Sequence, residues 1–346
     1  MSSFAIGVDL GGTNLRVAAV TEDGKLLEKV TLGTQVSRGR DAVIDAMCEA
    51  ILGLLAKFSA ANLLGVGIGV PGIIDKRSGL LRESPNLPGW EDYPVRDEIE
   101  RRLKAPVVLE NDANAAALGE AWLGAAKNAE SMCMITLGTG VGGGIVLNGE
   151  IWHGMSGMAG ELGHVTVNPE GPRCNCGNRG CVEQYASASA IMRMARQAIA
   201  DGKDAVLTKA ASDPEFSARV VYNLATQGNE AAKQIFHEAG KMLGIVVADL
   251  INVLNLHMYV VGGGAASAWS AFSPAMFEEV RLRSMVYAAT APPDREGETG
   301  ASAEVKPTGR PYTIITHALL GSDAGLYGAA RLPMIGKTAL NRQTAG

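Results

Sequence analysis

The chain holds little excess basic charge and no long apolar run. Lys and Arg total 31 against 36 Asp and Glu, a formal charge of -5 at pH 7. With no basic run or basic amphipathic helix, this balance argues against a nucleic-acid surface as the main business. The longest apolar tract, Ala239 to Leu256, is interrupted by Lys241, Asp249 and Asn252. It predicts a buried amphipathic helix, since a membrane span needs roughly 20 predominantly apolar residues. The opening MSSFAIGVDLGG enters an apolar strand at once, with no charged n-region or small-residue cleavage site, and does not read as a signal peptide. Five cysteines in 346 residues, three of them clustered at metal-ligand spacing, fit a reducing cytoplasm better than a disulfide framework. Cys48 and Cys133 lie in apolar surroundings and read as inert core residues. Neither glycine turn, DLGGTN nor LGTGVGGG, is a Walker loop, which would need Gly-Lys-Ser/Thr opening a helix.

What is present is organised around the stretch GELGHVTVNPEGPRCNCGNRGCVEQ, Gly160 to Gln184. His164, Cys174, Cys176 and Cys181 are the donor set of a closed, tetrahedral Cys3His zinc site. A lone histidine is more often a core residue, but CxC with a third cysteine four residues on is a far stronger signal. Four protein ligands leave no open position, so the ion is expected to be structural. Glu161 and Glu183 frame the cluster and suggest a polar ligand beside it. If one imidazole nitrogen of His164 binds the metal, the other remains as an N–H donor toward a ligand hydroxyl.

A chain of this length exceeds the ~250–300 residues at which single cores stop growing, so two domains are expected. Residues 4–34 read as a three-stranded meander and 40–58 as a helix of 3.6 period. LLGVGIGVPG at 63–72 reads as a buried strand ending in a turn. APVVLEND leads into a helix at Asp112. From residue 131, SMCMITLGTGVGGGIVLNGE repeats the strand–glycine turn–strand pattern of the N-terminus. Helices over roughly 187–200 and 229–255, the strand HMYVVGGG at 257–264 and the strand TIITH follow. Residues 290–309 read as a polar surface loop, and the tail after Pro333 as loosely ordered. The pattern predicts two similar α/β halves with a cleft between them: residues 1–118 as a smaller domain and 119–321 as a larger one. A C-terminal helix near 322–333 is a candidate to pack back onto the first.

The two glycine turns, Asp9-Leu10-Gly11-Gly12-Thr13-Asn14 and Leu137 to Gly144, let backbone N–H groups converge on an anion, and their threonines add donors. Either alone is compatible with a tight hairpin; both together, with Gly262-Gly263-Gly264 after another buried strand, point to nucleotide phosphates. Asp9, at a strand end beside such a loop, is placed to hold Mg²⁺ through water. In Glu110-Asn111-Asp112, Asp112 reads either as a helix N-cap or as a carboxylate that takes a proton from an attacking hydroxyl. Asn111 suits a sugar hydroxyl.

DLGGTN, SPNLPGW at 84–90, the END triplet, LGTGVGGG, GELGH…CNCGNRGC…E and VVGGG at 260–264 together resemble the ROK family, which includes bacterial sugar kinases of glucokinase type. The resemblance covers essentially the whole chain. It implies an α/β, actin-like and hexokinase-like ATPase fold with ribonuclease H-like duplicated domains and an interdomain cleft. It implies ATP-dependent phosphorylation of glucose at its 6-hydroxyl with Mg²⁺, and Asp112 as general base. Gly72, Asn86, Asn111, Asp112, Glu161, His164 and Glu183 would bind the sugar. Asp9, Gly11, Gly12, Thr13, Asn14, Thr139 and Gly140 would meet the nucleotide phosphates and their metal, with Gly263 near the adenosine. His164 and the three cysteines would bind zinc. Another hexose (N-acetylmannosamine, N-acetylglucosamine, fructose or mannose) is the nearest alternative substrate, and a non-catalytic sugar sensor the alternative class. Family repressors carry a helix-turn-helix ahead of the first glycine turn; only eight residues precede Asp9, so no such domain is expected. A homo-oligomer, dimer or tetramer, is expected from the resemblance alone.

Overall fold

The computed structural model describes residues 3–84, 86–202, 204–292 and 312–343, with side chains in the last helix described through residue 335. Most of the expected 290–309 loop, and Pro85 of SPNLPGW, lie outside these residues.

The first sheet begins with the meander of β1 (Phe4–Leu10), β2 (Asn14–Thr21) and β3 (Leu26–Gly33), antiparallel throughout. After α1 (Arg40–Phe58), β4 (Leu63–Val70) joins β1 in parallel. A separate hairpin, β5 (Ile73–Asp75) and β6 (Leu80–Glu83), and α2 (Val95–Leu103) lead to β7 (Val107–Asn111), which closes the order β3-β2-β1-β4-β7. Val43, Ile44, Met47, Ile51 and Leu54 recur at three- and four-residue steps along α1, and all are buried with Ile6, Val8, Val17, Val66 and Ile68. That apolar face explains why residues 40–58 are helical and where the helix docks. The fully buried Trp90 belongs to the same core.

β7 runs directly into α3 (Asp112–Leu123). The opposite face of the sheet is covered by the last helix, α11 in chain order (Ala324–Gln343), which extends through Pro333; the expected loose tail is helical as far as Gln343. Glycine makes this close approach possible: a side chain at Gly7 or Gly67 would overlap the carbonyls of Leu326 or Ala329, and one at Gly328 would overlap that of Ala115 on α3. The alternation of glycines in LLGVGIGV thus prepares a sheet surface for a helix that the chain supplies more than 250 positions later.

The second sheet has the same plan. β8 (Met132–Leu137), β9 (Val141–Leu147) and β10 (Glu150–Ile151) are followed, after five helices, by β11 (Met258–Gly262) and finally β12 (Ile314–His317), in the order β10-β9-β8-β11-β12. β11 lies parallel to both β8 and β12. The five helices are α4 (Glu183–Ala186), α5 (Ala188–Ala200), α6 (Ala205–Ala210), α7 (Ala218–Thr226) and α8 (Glu230–Leu254). The apolar tract expected to be a buried helix is the C-terminal half of α8. Between β11 and β12 stand α9 (Trp269–Arg283) and α10 (Met285–Thr290). Gly240 and Gly244 of α8 meet the carbonyls of Phe272 and Met276 on α9, too close for a side chain.

The chain forms two compact units: Met1–Glu130 with Gly144–Gly160 and Ser322–Gly346, and Ser131–Gly143 with Glu161–Gly321. A single division at 118/119 would fall inside α3. Residues 144–160 go with the first unit because Gly144 packs against Ala117 and the Ala113 carbonyl of that helix. Among the described residues no helix is long and apolar enough to cross a membrane.

Candidate active site

In the first unit the DLGGTN turn joins β1 to β2. It is closed by Gly11 N–H donating to the Asn14 carbonyl (2.9 Å) and held from below by Thr34, whose hydroxyl donates to the Gly11 carbonyl (2.6 Å) and whose N–H donates to that of Thr13 (2.9 Å). Gly12, Thr13 and Asn14 are exposed. Asp9 and Arg16 sit opposite each other in the β1–β2 register, and Arg16 Nη1 donates to Asp9 Oδ2 at 2.8 Å. Burial raises the Asp9 pKa above the ordinary carboxylate value, with the Arg16 hydrogen bond and charge opposing it. A buried carboxylate in that state gains by an additional cation nearby. Asn86 stands beside the turn; a Cβ at Gly12 would lie 3.7 Å from its Cβ.

The β7–α3 junction decides which residue caps the helix. The N-cap is Asn111, not Asp112: its Oδ1 accepts from Ala113 N–H (2.9 Å) and Asn114 N–H (3.2 Å). Asp112 occupies the first helical position, where its Oδ1 also lies 2.9 Å from Ala113 N. Asn111 Nδ2 donates to the Gly72 carbonyl (3.2 Å). Gly72 has φ of 122°, and a side chain there would overlap the Glu83 carbonyl, so this position admits only glycine. Gly72, Asn111 and Asp112 are therefore one cluster, and the asparagine is used structurally at both ends of its amide.

In the second unit the LGTGVGGG turn links β8 to β9. Gly138 N–H donates to the Gly140 carbonyl (2.9 Å), Ala188 N–H to that of Gly138 (2.9 Å), and the Ser189 hydroxyl to that of Thr139 (2.8 Å). Glu183, the first residue of α4, accepts from Val141 N–H at 2.9 Å through Oε2. Its other oxygen lies 4.0 Å from Cys174 Sγ. A side chain at Gly140 would overlap this carboxylate, and one at Gly263 (φ 87°) would overlap Leu137. Thr139, Gly140, Glu183 and Gly263 thus gather around one turn.

His164, Cys174, Cys176 and Cys181 converge as expected, with their ligand atoms all within 4.8 Å of one another. Cys174 Sγ is 3.7 Å from His164 Nδ1, and Cys176 Sγ is 3.7 Å from Cys181 Sγ. The second distance is far beyond the ~2.05 Å of a disulfide. A tetrahedron with Zn–S of 2.3 Å has edges of about 3.8 Å, so the donor set fits zinc in chemistry and in spacing. With Nδ1 facing the thiols, His164 Nε2 points to Glu161, 3.9 Å from its Oε2; both side chains are partly exposed.

Each unit therefore brings together half of the expected residues. Asp9, Gly11, Gly12, Thr13, Asn14, Gly72, Asn86, Asn111 and Asp112 lie in the first; Thr139, Gly140, Glu161, His164, Glu183, Gly263 and the three cysteines lie in the second. Three further residues form a group beside the β7–α3 junction: the buried Glu110 and its partly exposed partners Lys76 and His153. The available signal was a glutamate near the end of an otherwise apolar buried strand.

Two sheets of the same strand order, each with a glycine turn between its first two strands, define a protein of the actin-like, hexokinase-like ATPase class. The chain belongs to the ROK family, whose family model matches residues 5–334. Glucokinase from Thermotoga maritima is 44% identical over 264 residues, 76% of this chain and 82% of that protein. Among solved structures, a ROK hexokinase from Thermus thermophilus superposes with a TM-score of 0.77 at 31% identity, covering 97% of this chain and 99% of that one. A ROK glucokinase from Streptomyces griseus, in complex with glucose and AMPPNP, gives 0.75 at 33% identity, covering 95% and 99%.

Proposed function

We propose that this protein is an ATP-dependent glucokinase that transfers the γ-phosphoryl group to the 6-hydroxyl of glucose. The reading is supported most directly by the β7–α3 junction: Asn111 caps the helix, so capping does not require the carboxylate at position 112. Asp112 then acts as general base, accepting the 6-hydroxyl proton as that oxygen attacks phosphorus in line. Gly72, Asn86, Asn111, Glu161, His164 and Glu183 bind the sugar. Gly11, Gly12, Thr13, Asn14, Thr139 and Gly140 bind the phosphates through backbone N–H groups and hydroxyls, and Gly263 lies near the adenosine. Mg²⁺ enters with ATP as part of the substrate, and Asp9 holds its water shell.

Zinc is held by His164, Cys174, Cys176 and Cys181. It supplies no chemistry; bound, it fixes the loop from which His164 and Glu183 extend. The geometric observation behind the sugar role of His164 is that Nε2 faces Glu161 and not the cysteines. The reducing cytoplasm suits a protein whose cysteines are all free.

Coupled ADP release across glucose, mannose, fructose, N-acetylglucosamine and N-acetylmannosamine tests the substrate. The highest kcat/KM is expected for glucose, and a higher value for an acetylated hexosamine would replace that substrate. No turnover with any of them would favour a sugar sensor. Asp112→Asn is expected to lower kcat by roughly 10²–10⁴-fold with sugar binding retained; near-normal turnover would remove Asp112 from the base role.

A further inference from the structure

Glu110 is 2% exposed, and the reaction as described does not use it. An isolated buried carboxylate is strongly unfavourable, so a buried one needs charged and hydrogen-bonding partners. Here the partners come from three places. Oε2 receives Lys76 Nζ (2.5 Å), from the turn of the β5–β6 hairpin, and His153 Nε2 (2.8 Å), two residues past β10. Oε1 receives Asn111 N–H (3.0 Å) and Asn114 Nδ2 (3.2 Å), both at the β7–α3 junction. Lys76 Nζ also donates to the Leu109 carbonyl at 2.7 Å.

Burial pushes the Glu110 pKa up, but the His153 hydrogen bond and the Lys76 charge together outweigh it and hold the carboxyl at about 2. An ionised carboxylate has no proton to give, so every contact is donated to it, including the His153 Nε2 hydrogen. The group therefore clamps the junction. One oxygen grips the backbone immediately before Asp112 and the side chain two residues after it. The other ties that grip to two segments remote in sequence.

We propose that Glu110 is a positioning residue for Asp112, setting the strand-to-helix junction from which the base projects, and that it does so only as an anion. This rests on the reading of Asp112 as base. Glutamine has nearly the same shape, yet its amide has one accepting oxygen and one donating nitrogen. In Glu110→Gln, at least one pair of the four donors must face an N–H in place of an acceptor.

The test is a kinetic double-mutant cycle in the full chain: wild type, Glu110→Gln, Asp112→Asn and the double variant, each confirmed folded by circular dichroism. Displacing a reacting group by about 1 Å costs on the order of 10²-fold, so Glu110→Gln alone is expected to lower kcat by roughly 10–100-fold. In the Asp112→Asn background the same change should lower it by less than about threefold, because there is no longer a base to misplace. An equal loss in both backgrounds, or normal turnover by folded Glu110→Gln, overturns the proposal while leaving Asp112 as base. Near-normal turnover by Asp112→Asn overturns both. If Glu110→Gln does not fold, His153→Gln, which keeps the carboxylate and alters one donor, replaces it in the cycle. A several-fold loss confined to the Asp112 background supports the proposal, and a loss equal in the two backgrounds refutes it.

Discussion

The β7–α3 junction and the cysteine segment hold their surroundings by opposite chemical means. At each, a carboxylate accepts a backbone N–H at a candidate substrate-handling element: Glu110 from Asn111, and Glu183 from Val141. Glu110 is neutralised by protein cations and dipoles that lie 34 and 43 positions away in sequence. The cysteine segment instead gathers its four donors within residues 164–181 and relies on a short, internally bonded loop, in which Cys174 N–H donates to the Asn178 carbonyl and Gly180 N–H to that of Pro172, both at 2.8 Å. A network of the first kind exists only when the whole unit is folded and fails with pH. A clip of the second kind is local and fails when the ion is removed.

Metal removal should separate the two most sharply. Purified protein is expected to carry about one zinc per chain by elemental analysis. Chelation, or Cys176→Ala, should lower the thermal midpoint and raise the glucose KM together, because structural zinc contributes folding free energy directly. Zinc-free protein with normal stability would refute the clip; lowered stability with an unchanged KM would reduce it to a staple without a hand in the sugar site.

Acid should act on the other region. The folded Glu110 carboxyl sits at about 2 against 4.5 for the free group. A depressed pKa of this kind adds stability above the unfolded value, which is lost as pH falls through the folded one. At neutral pH the contribution is on the order of 3 kcal/mol. The urea-unfolding difference between wild type and Glu110→Gln is therefore expected to shrink as pH falls from 4 to 2. A difference that does not narrow over that range would contradict the charged state assigned to Glu110.

The smallest expected effect concerns Glu183, which the sequence places on the sugar and the structure bonds to the glycine turn. Glu183→Leu removes the acceptor of Val141 N–H, a bond worth about 1.5–3 kcal/mol to a charged partner. It is expected to raise the Mg-ATP KM several-fold with zinc content unchanged. A rise confined to the glucose KM would return Glu183 to the sugar alone.

How far the sequence was legible follows from the same contrast. The Cys3His cluster, both glycine turns and the meanders could be read because each is specified within a few residues: CxC…C spacing, glycine between strands, alternation of period two. α1 was legible from its apolar spacing. No element was assigned to residues 265–289, yet α9 and α10 lie there. Pro274 stands within α9, its buried face includes Ser273 and Glu279, and Leu282 is exposed, so no clean amphipathic stripe marks it. The END triplet showed where the cap lies but not which residue supplies it. That depended on Asn111 spanning from the helix N–H groups to Gly72, 39 positions earlier.

By itself, then, the amino-acid sequence determined the local chemistry of this protein: the two glycine turns, the Cys3His donor set, the duplicated strand pattern and the acidic residue at the head of α3. Only the tertiary structure decided that the last helix covers the first sheet, that Glu183 braces a glycine turn, and that the buried Glu110 gathers donors from Lys76, His153, Asn111 and Asn114. The reason is physical. A turn or a ligand spacing is closed by neighbours in the chain, whereas a buried charge or a close helix contact is defined by groups that meet only when distant segments have folded.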